Sequence, residues 1–269
     1  IEFEINFTLG KIYNLKRMND KSKSYFMTCL SLSKEHKDKL NYAYTIGELS
    51  DLEFDIGNTD NALKGFMKQL EIANELKDDK LLQSSYLYLG MVYLQNGELD
   101  TSLRFYKKLY DLATKYDSKQ QILQALGNIS LIHNIRGEYD QSLSHFKEVI
   151  SISEDIHDLR NQAMTYGNQG IIYKNLKKYN VALDNYNLQL QISRQIGDKW
   201  MESNALDGIA LVYQKTGKFD ESISHSKESI KIKQEIKDMT GSAKSMTNLS
   251  STYIKKGELD KSIELLEKS

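Results

Sequence analysis

The chain has 269 residues, with 36 Lys and Arg against 37 Asp and Glu and a net charge of −1 at pH 7. That balance argues against wholesale attraction to nucleic acid or to an anionic membrane. Cys29 is the only cysteine and proline is absent, so no internal disulfide can form and the turns must be built from Gly, Asn and Asp.

The N-terminal segment opens a pattern that recurs every forty residues. Tyr13 is repeated as Tyr93, Tyr173, Tyr213 and Tyr253; Asp20 as Asp60, Asp100, Asp140, Asp220 and Asp260. Ser22 opens a column held only by Ala or Ser: Ala62, Ser102, Ser142, Ala182, Ser222, Ser262. Gly57, Gly97, Gly137, Gly217 and Gly257 share one register, which Lys177 and, earlier, Arg17 interrupt. The segment begins at Ile1 rather than Met, already inside a first helix, and reads as a piece of a longer chain.

Residues 41–80 depart from the pattern, with Ser50 where Gly is expected and Glu53 where Tyr is expected, so this first helix should pack differently. Residues 81–120 state the unit most clearly. Leu82, Tyr86, Leu89, Gly90, Tyr93 and Leu94 recur at helical spacing and predict an amphipathic helix over 81–95. Gly97 suits the left-handed position after that helix, and Asp100 is expected to cap the next. Leu103, Tyr106, Leu109, Tyr110, Leu112 and Ala113 form the stripe of a second helix, roughly 100–116. Gly90 and Ser102 should let the pair approach closely, with Tyr93 and Tyr106 filling the space around the contact. Between units, Asp38, Asp78, Asp158, Asp198 and Asp238 share one register, with Ser118 in the remaining place, and are expected N-caps.

The most apolar helix, 122–135, is broken by Gln124, Asn128, Ser130, His133 and Asn134, and no run is apolar enough to span a bilayer. His133 stands in the Tyr column and His36 at a helix end as packing variants; His145, His157 and His225 are scattered, with no metal-ligand spacing. Cys29 falls in a buried column with Leu109 and Val149 and reads as a core thiol. Trp200, expected in the loop before the sixth repeat and in an otherwise polar register, is either a packing plug or an exposed contact. There is no P-loop, dinucleotide fingerprint or nucleophile elbow, so no catalytic residue, cofactor or metal is assigned. A lone thiol and the absence of a signal peptide lead to an expected cytoplasmic location.

These residues resemble the tetratricopeptide repeat (TPR): Leu89-Gly90-x-x-Tyr93 and Gly170-x-x-Tyr173 on first helices, Gly97 in the turn, Ser102…Tyr106 and Ser142…Phe146 on second helices. The forty-residue unit, with Gly197-Asp198 between repeats, is similar to the longer subclass that includes Pins-type scaffolds, kinesin light chains and Rap-type regulators. The resemblance implies an all-α, right-handed TPR superhelical solenoid of about seven antiparallel helix pairs. It forms a single array, 1–269, with repeats over 1–40, 41–80, 81–120, 121–160, 161–200, 201–240 and a truncated 241–269. Ser269 would fall inside the last second helix, leaving uncapped ends open to end-to-end self-association.

The resemblance also implies a concave groove, lined by the first helices, for an extended peptide or helix of a protein partner. The column Glu48, Tyr88, Asn128, Asn168, Gly208, Asn248 resembles the Asn ladder of the longer subclass, and Asn204 joins it. Each amide offers one acceptor and two donors to a peptide group, and Gly47, Gly127 and Gly167 are expected to leave a guest room. Charge is graded: Glu48, Asp51 and Asp55 crowd the second repeat, while Lys174, Lys215, Lys244 and Lys255 stand on later first helices. Gly47 with Asp51, and Leu87 with Met91, occupy the positions of the family's Lys/Asn carboxylate clamp, which disfavours chaperone tails. The alternatives are a regulatory or sensory arm of a larger signalling enzyme, a kinase or protease, and a structural spacer.

Overall fold

Apolar residues at helical spacing, interrupted every twenty residues by a three-residue turn, give helices and nothing else. The computed structural model describes residues 1–267, and among them there is no strand. Two units, Ile1–Ile132 and the chain from His133 onward, each have their own core.

In unit 1, α1 (Glu2–Leu15) pairs with α2 (Asn19–Glu35), α3 (Lys39–Asp55) with α4 (Thr59–Leu76) and α5 (Asp79–Gln95) with α6 (Leu99–Lys115). The next helix, α7 (Lys119–Ile135), buries Ala125, Ile129 and Ile132 against Tyr106 and Leu109. Unit 2 contains α8 (Tyr139–Asp155), then α9 (Leu159–Asn175) with α10 (Tyr179–Ile196) and α11 (Lys199–Lys215) with α12 (Phe219–Glu235). Last come α13 (Met239–Lys256) and the described part of α14 (Leu259–Glu267). Ile1 is the N-cap of α1 rather than part of it, and the expected placement of Ser269 lies outside the described residues.

The turns repeat at half the sequence period. Within a repeat, Glu98 N–H donates to Tyr93 O at 2.8 Å; between repeats, Ser118 N–H donates to Ala113 O at 2.9 Å. Both kinds of turn therefore close with the same six-residue bond. Gly97 sits at φ +79°, where a Cβ would crowd the backbone. Lys177 and Arg17 fill the glycine register yet hold the same left-handed conformation, at φ +59° and +56°. The other turns do so with Lys37, Lys77, Asp117, His157, Gly197 and Lys237.

The capping expectation divides. Asp38, Asp78, Asp158, Asp198 and Asp238 each accept a hydrogen bond from the backbone three residues on, at 2.8–3.0 Å. Asp100 is not a cap: Glu98 occupies the N-cap and makes no side-chain cap bond, and Asp100 lies in the helical first turn. The tight turn brings the chain into the helix two residues early, so this acidic column acts on the helix dipole instead.

Small residues set the helix pairing. Ser102 Oγ donates to Gly90 O at 2.7 Å and Ser22 Oγ to Gly10 O at 2.8 Å. A Cβ on Gly90 would lie 2.7 Å from the fully buried Tyr106 ring. Beside this contact the first and second helices stack rings: Tyr13 on Tyr25 and Tyr93 on Phe105 in unit 1, His133 on His145 in unit 2. The histidines therefore do meet, at 5.5 Å between centroids, but in the place where the first and third repeats stack Tyr13 on Tyr25 and Tyr93 on Phe105. Tyr213 and His225 meet at the same place, with their rings tilted by 43° rather than stacked. The second repeat packs differently, as expected: Gly65 on α4 makes room for Ser50, and Glu53 takes Lys23 at 2.7 Å in place of a ring stack. Cys29 is fully buried, and burial pushes its thiol up to about 11.

Candidate functional site

Residues at i, i+4, i+7 and i+11 share one side of a helix, and on the first helices that side is partly exposed in both units. In unit 1 it carries Glu48, Asp51 and Asp55 on α3 and Tyr88 on α5, and the fold brings them together. Burial raises the Glu48 carboxyl above its ordinary range, opposed by Lys11 of α1 at 3.5 Å. Asp51 is pushed up to about 6, first by burial and then by the charges of Asp55 and Glu48. Burial, with the same three carboxylates, also raises the Tyr88 hydroxyl, whose ring stacks on Phe66 at 4.7 Å. Asp55 is met by Arg17 at 3.6 Å. Next to this cluster, Leu40, Tyr44, Gln83, Tyr88, Gln121 and Gln124 line an open groove of roughly 1230 Å³. Gln121 Oε1 is buried with no hydrogen-bond partner among the described residues.

In unit 2 the same columns read Met164, Asn168 and Ile171 on α9; Asn204, Gly208, Leu211 and Lys215 on α11; Lys244, Asn248 and Lys255 on α13. The side-chain amides of Asn168, Asn204 and Asn248 are partly exposed and make no hydrogen bond among the described residues. Lys174 is half-buried; burial lowers its pKa, and the charges of Lys215 and Lys244 lower it further. Lys255 Nζ donates to Gln214 Oε1 at 2.8 Å, while Gln214 Nε2 reaches Thr252 Oγ1 at 2.8 Å, so Lys255 is committed to bridging α11 and α13.

Several expectations are corrected. Asn128 donates to Gln124 O of its own helix at 2.8 Å, so part of its amide is already used. Gly47 and Gly167 do not face a guest: a Cβ on either would collide with the buried amide of Gln69 or Gln189. Glycine is needed because the second helix supplies a long polar side chain; Gln69 bonds Ala43 O and Ser85 Oγ inside the core. Only Gly127 of the three faces open space. Gly208, within the ladder, makes room for the Tyr186 ring, 2.5 Å from where its Cβ would sit. Trp200 is exposed, at 52 %, and stands in the first turn of α11 rather than in the loop before it.

One polar group escaped the sequence reading. Lys233, only 3 % exposed, forms an ion pair with Asp207 and donates to Ser245 Oγ at 2.9 Å; Ser245 Oγ donates to Asp207 at 2.8 Å. The brace joins α12, α11 and α13. Its signal was there to find: Asp207 breaks a column of Gly47, Leu87, Gly127 and Gly167, and Lys233 one of Ala73, Ala113 and Ser193.

Among the described residues, no group of three or more His, Cys, Asp or Glu is placed to hold a metal, and no helix is long and apolar enough to cross a membrane.

Profiles of the tetratricopeptide repeat match residues 3–36 and, in overlapping windows, 81–155, 121–195, 161–235 and 201–269; no catalytic family is indicated. No curated protein matches the sequence. Solved structures do match in fold. The apo form of RapI is 15% identical with a TM-score of 0.80, covering 99% of this chain and 96% of that one. A signal-transduction ATPase with a tetratricopeptide repeat sensor from Pyrococcus horikoshii is 16% identical with a TM-score of 0.79; the match covers 98% of this chain but 40% of that protein. The Rap conjugation regulator of plasmid pLS20, in complex with the Phr* peptide, is 19% identical with a TM-score of 0.72, covering 99% and 72%.

Proposed function

The chain belongs to the tetratricopeptide-repeat family, and from that premise we propose that it is a non-catalytic protein-interaction module that holds an extended peptide segment of a partner. The observation that carries this reading is the set of unengaged amides, Asn168, Asn204 and Asn248, on adjacent first helices of unit 2. Spaced along one face, they can pair with the N–H and C=O groups of an extended backbone without regard to its sequence. Lys215 and Lys255 flank them. Asn128, Tyr88, Glu48, Asp51 and Asp55 are the matching contacts of unit 1, whose carboxylates suit a basic segment. The pLS20 regulator, solved with a peptide, supports the reading by fold analogy.

The test is a displayed library of random peptides selected on the wild-type chain and re-measured on an Asn168→Ala, Asn248→Ala variant with an unchanged melting curve. Selected peptides should lose about tenfold or more in affinity, from two hydrogen bonds at about 1 kcal/mol each. Undiminished binding would dismiss the amide face.

A second reading has its own observation, the match of this chain to 40% of an ATPase that carries a tetratricopeptide repeat sensor. On that reading the repeats are the sensory or regulatory arm of a larger signalling enzyme, a kinase or protease. Sequencing the reading frame on both sides of residues 1–269 tests it: a catalytic domain in the same frame supports it, and stop codons at both ends dismiss it.

A further inference from the structure

Unit 2 has an electrostatic imbalance that nothing within it relieves. Lys174, Lys215 and Lys244 stand on α9, α11 and α13, and among the described residues none of them forms an ion pair. Neither α9 nor α13 contains a single acidic residue, while α11 has two, Glu202 and Asp207. Both are committed elsewhere. Glu202 takes Arg194 and Lys199, each at 2.8 Å, and Asp207 belongs to the Lys233 brace. The nearby Lys256 engages Asp220 and Glu258, at 2.6 and 2.7 Å.

The lysines therefore confront each other without counter-charge, and one of them is half-buried. Repulsion of this kind costs stability unless a ligand supplies anions. The same face carries the unengaged amides of Asn168, Asn204 and Asn248, and the exposed apolar side chains of Met164 and Ile171. Carboxylate-binding cations, backbone-binding amides and apolar contacts together fit a peptide better than a simple ion.

We propose that the α9–α11–α13 face recognises an acidic extended peptide, whose side-chain or terminal carboxylates are taken by Lys174, Lys215 and Lys244 while Asn168 and Asn248 hold its backbone. This rests on the peptide-binding reading above and adds the charge of the guest.

The probe is a short fluorescein-labelled peptide alternating Glu and Ser, read by fluorescence anisotropy beside its Gln/Ser and Lys/Ser counterparts. The Glu/Ser peptide should bind the wild-type chain at least about tenfold more tightly than either counterpart, and its affinity should fall as salt is raised. A K174Q/K215Q/K244Q variant, with a melting temperature no lower than the wild type's because the repulsion is relieved, should lose that preference, and K174R/K215R/K244R should keep it. Loss in the Gln variant but not in the Asn168→Ala, Asn248→Ala variant would leave the lysine subsite standing and sink the amide ladder. If library-selected peptides need the asparagines while the Gln variant binds every peptide as the wild type does, the lysine subsite is wrong and the ladder stands. A single-stranded oligonucleotide or an anionic phospholipid vesicle that binds as tightly as the Glu/Ser peptide would also overturn the proposal, by showing a generic polyanion surface.

Discussion

Units 1 and 2 present the same columns on their first helices and fill them with opposite charge, but unit 1 answers two of its three carboxylates while unit 2 answers none of its three lysines. In unit 1 Glu48 and Asp55 are answered by Lys11 and Arg17 from α1 and the turn after it. In unit 2 the acids that could answer Lys174, Lys215 and Lys244 are bound to other cations. The scaffold columns, by contrast, are interchangeable: Gly90 faces Tyr106 in unit 1 as Gly170 faces Tyr186 in unit 2, at 2.7 Å from a Cβ in both. A repeat protein keeps its packing and varies its exposed face, so an unbalanced face is the better guide to a ligand.

The comparison can be broken most sharply at the brace that only unit 2 has. Asp207→Ala leaves Lys233 buried without its partner and should cost about 3–5 kcal/mol in urea unfolding. Asp207→Leu combined with Lys233→Ala installs what unit 1 carries at Leu87 and Ala113, and should recover most of that loss. A smaller effect tests the shared scaffold. Gly90→Ala and Gly170→Ala should each cost about 1–3 kcal/mol by driving a methyl into a buried tyrosine ring. Gly127→Ala, with nothing within 4 Å of the new Cβ, should stabilise by about 0.5–1 kcal/mol. Equal costs at all three would remove the packing argument.

The acidic face makes a pH prediction. Asp51 is raised in the folded state to about 6 from an ordinary value of 3.8, so folding favours its protonated form. Stability from this group is present below its unfolded pKa and is lost as pH rises from about 4 to about 6. Asp51→Asn should therefore stabilise at pH 7 by about 1 kcal/mol, after discounting for solvent screening, and the gain should vanish near pH 4. Chemical denaturation of both proteins across that range checks it; a gain independent of pH would refute the assignment. The least effect separates the two Asp columns. Asp78→Ala removes a cap bond and should cost about 1 kcal/mol, whereas Asp60→Ala, in the first turn, should cost about 0.3–0.5 kcal/mol by melting.

What is local in this chain was legible from its residues. The helix stripes, the N-capping Asp register and the left-handed Gly97 depend on contacts within five or six residues, and a forty-residue repetition states each several times. The Gly90–Ser102 approach was legible for a related reason: a close helix contact demands small residues in fixed columns.

Tertiary structure decided what depends on residues of other helices. Lys177 and Arg17 adopt the glycine conformation because the surrounding helix pair requires the turn. Gly47 and Gly167 serve buried glutamines of the partner helix rather than a guest, and Asn128 turns back on its own helix. Above all, the sequence alone determined that acids gather early and lysines late, but a charge's meaning lies in what stands within a few ångströms of it. Only the folded packing showed that unit 1 meets Glu48 and Asp55 with Lys11 and Arg17, leaving Asp51 alone, and that unit 2 leaves Lys174, Lys215 and Lys244 all unmatched, because Coulombic pairing follows distance in space and not order along the chain.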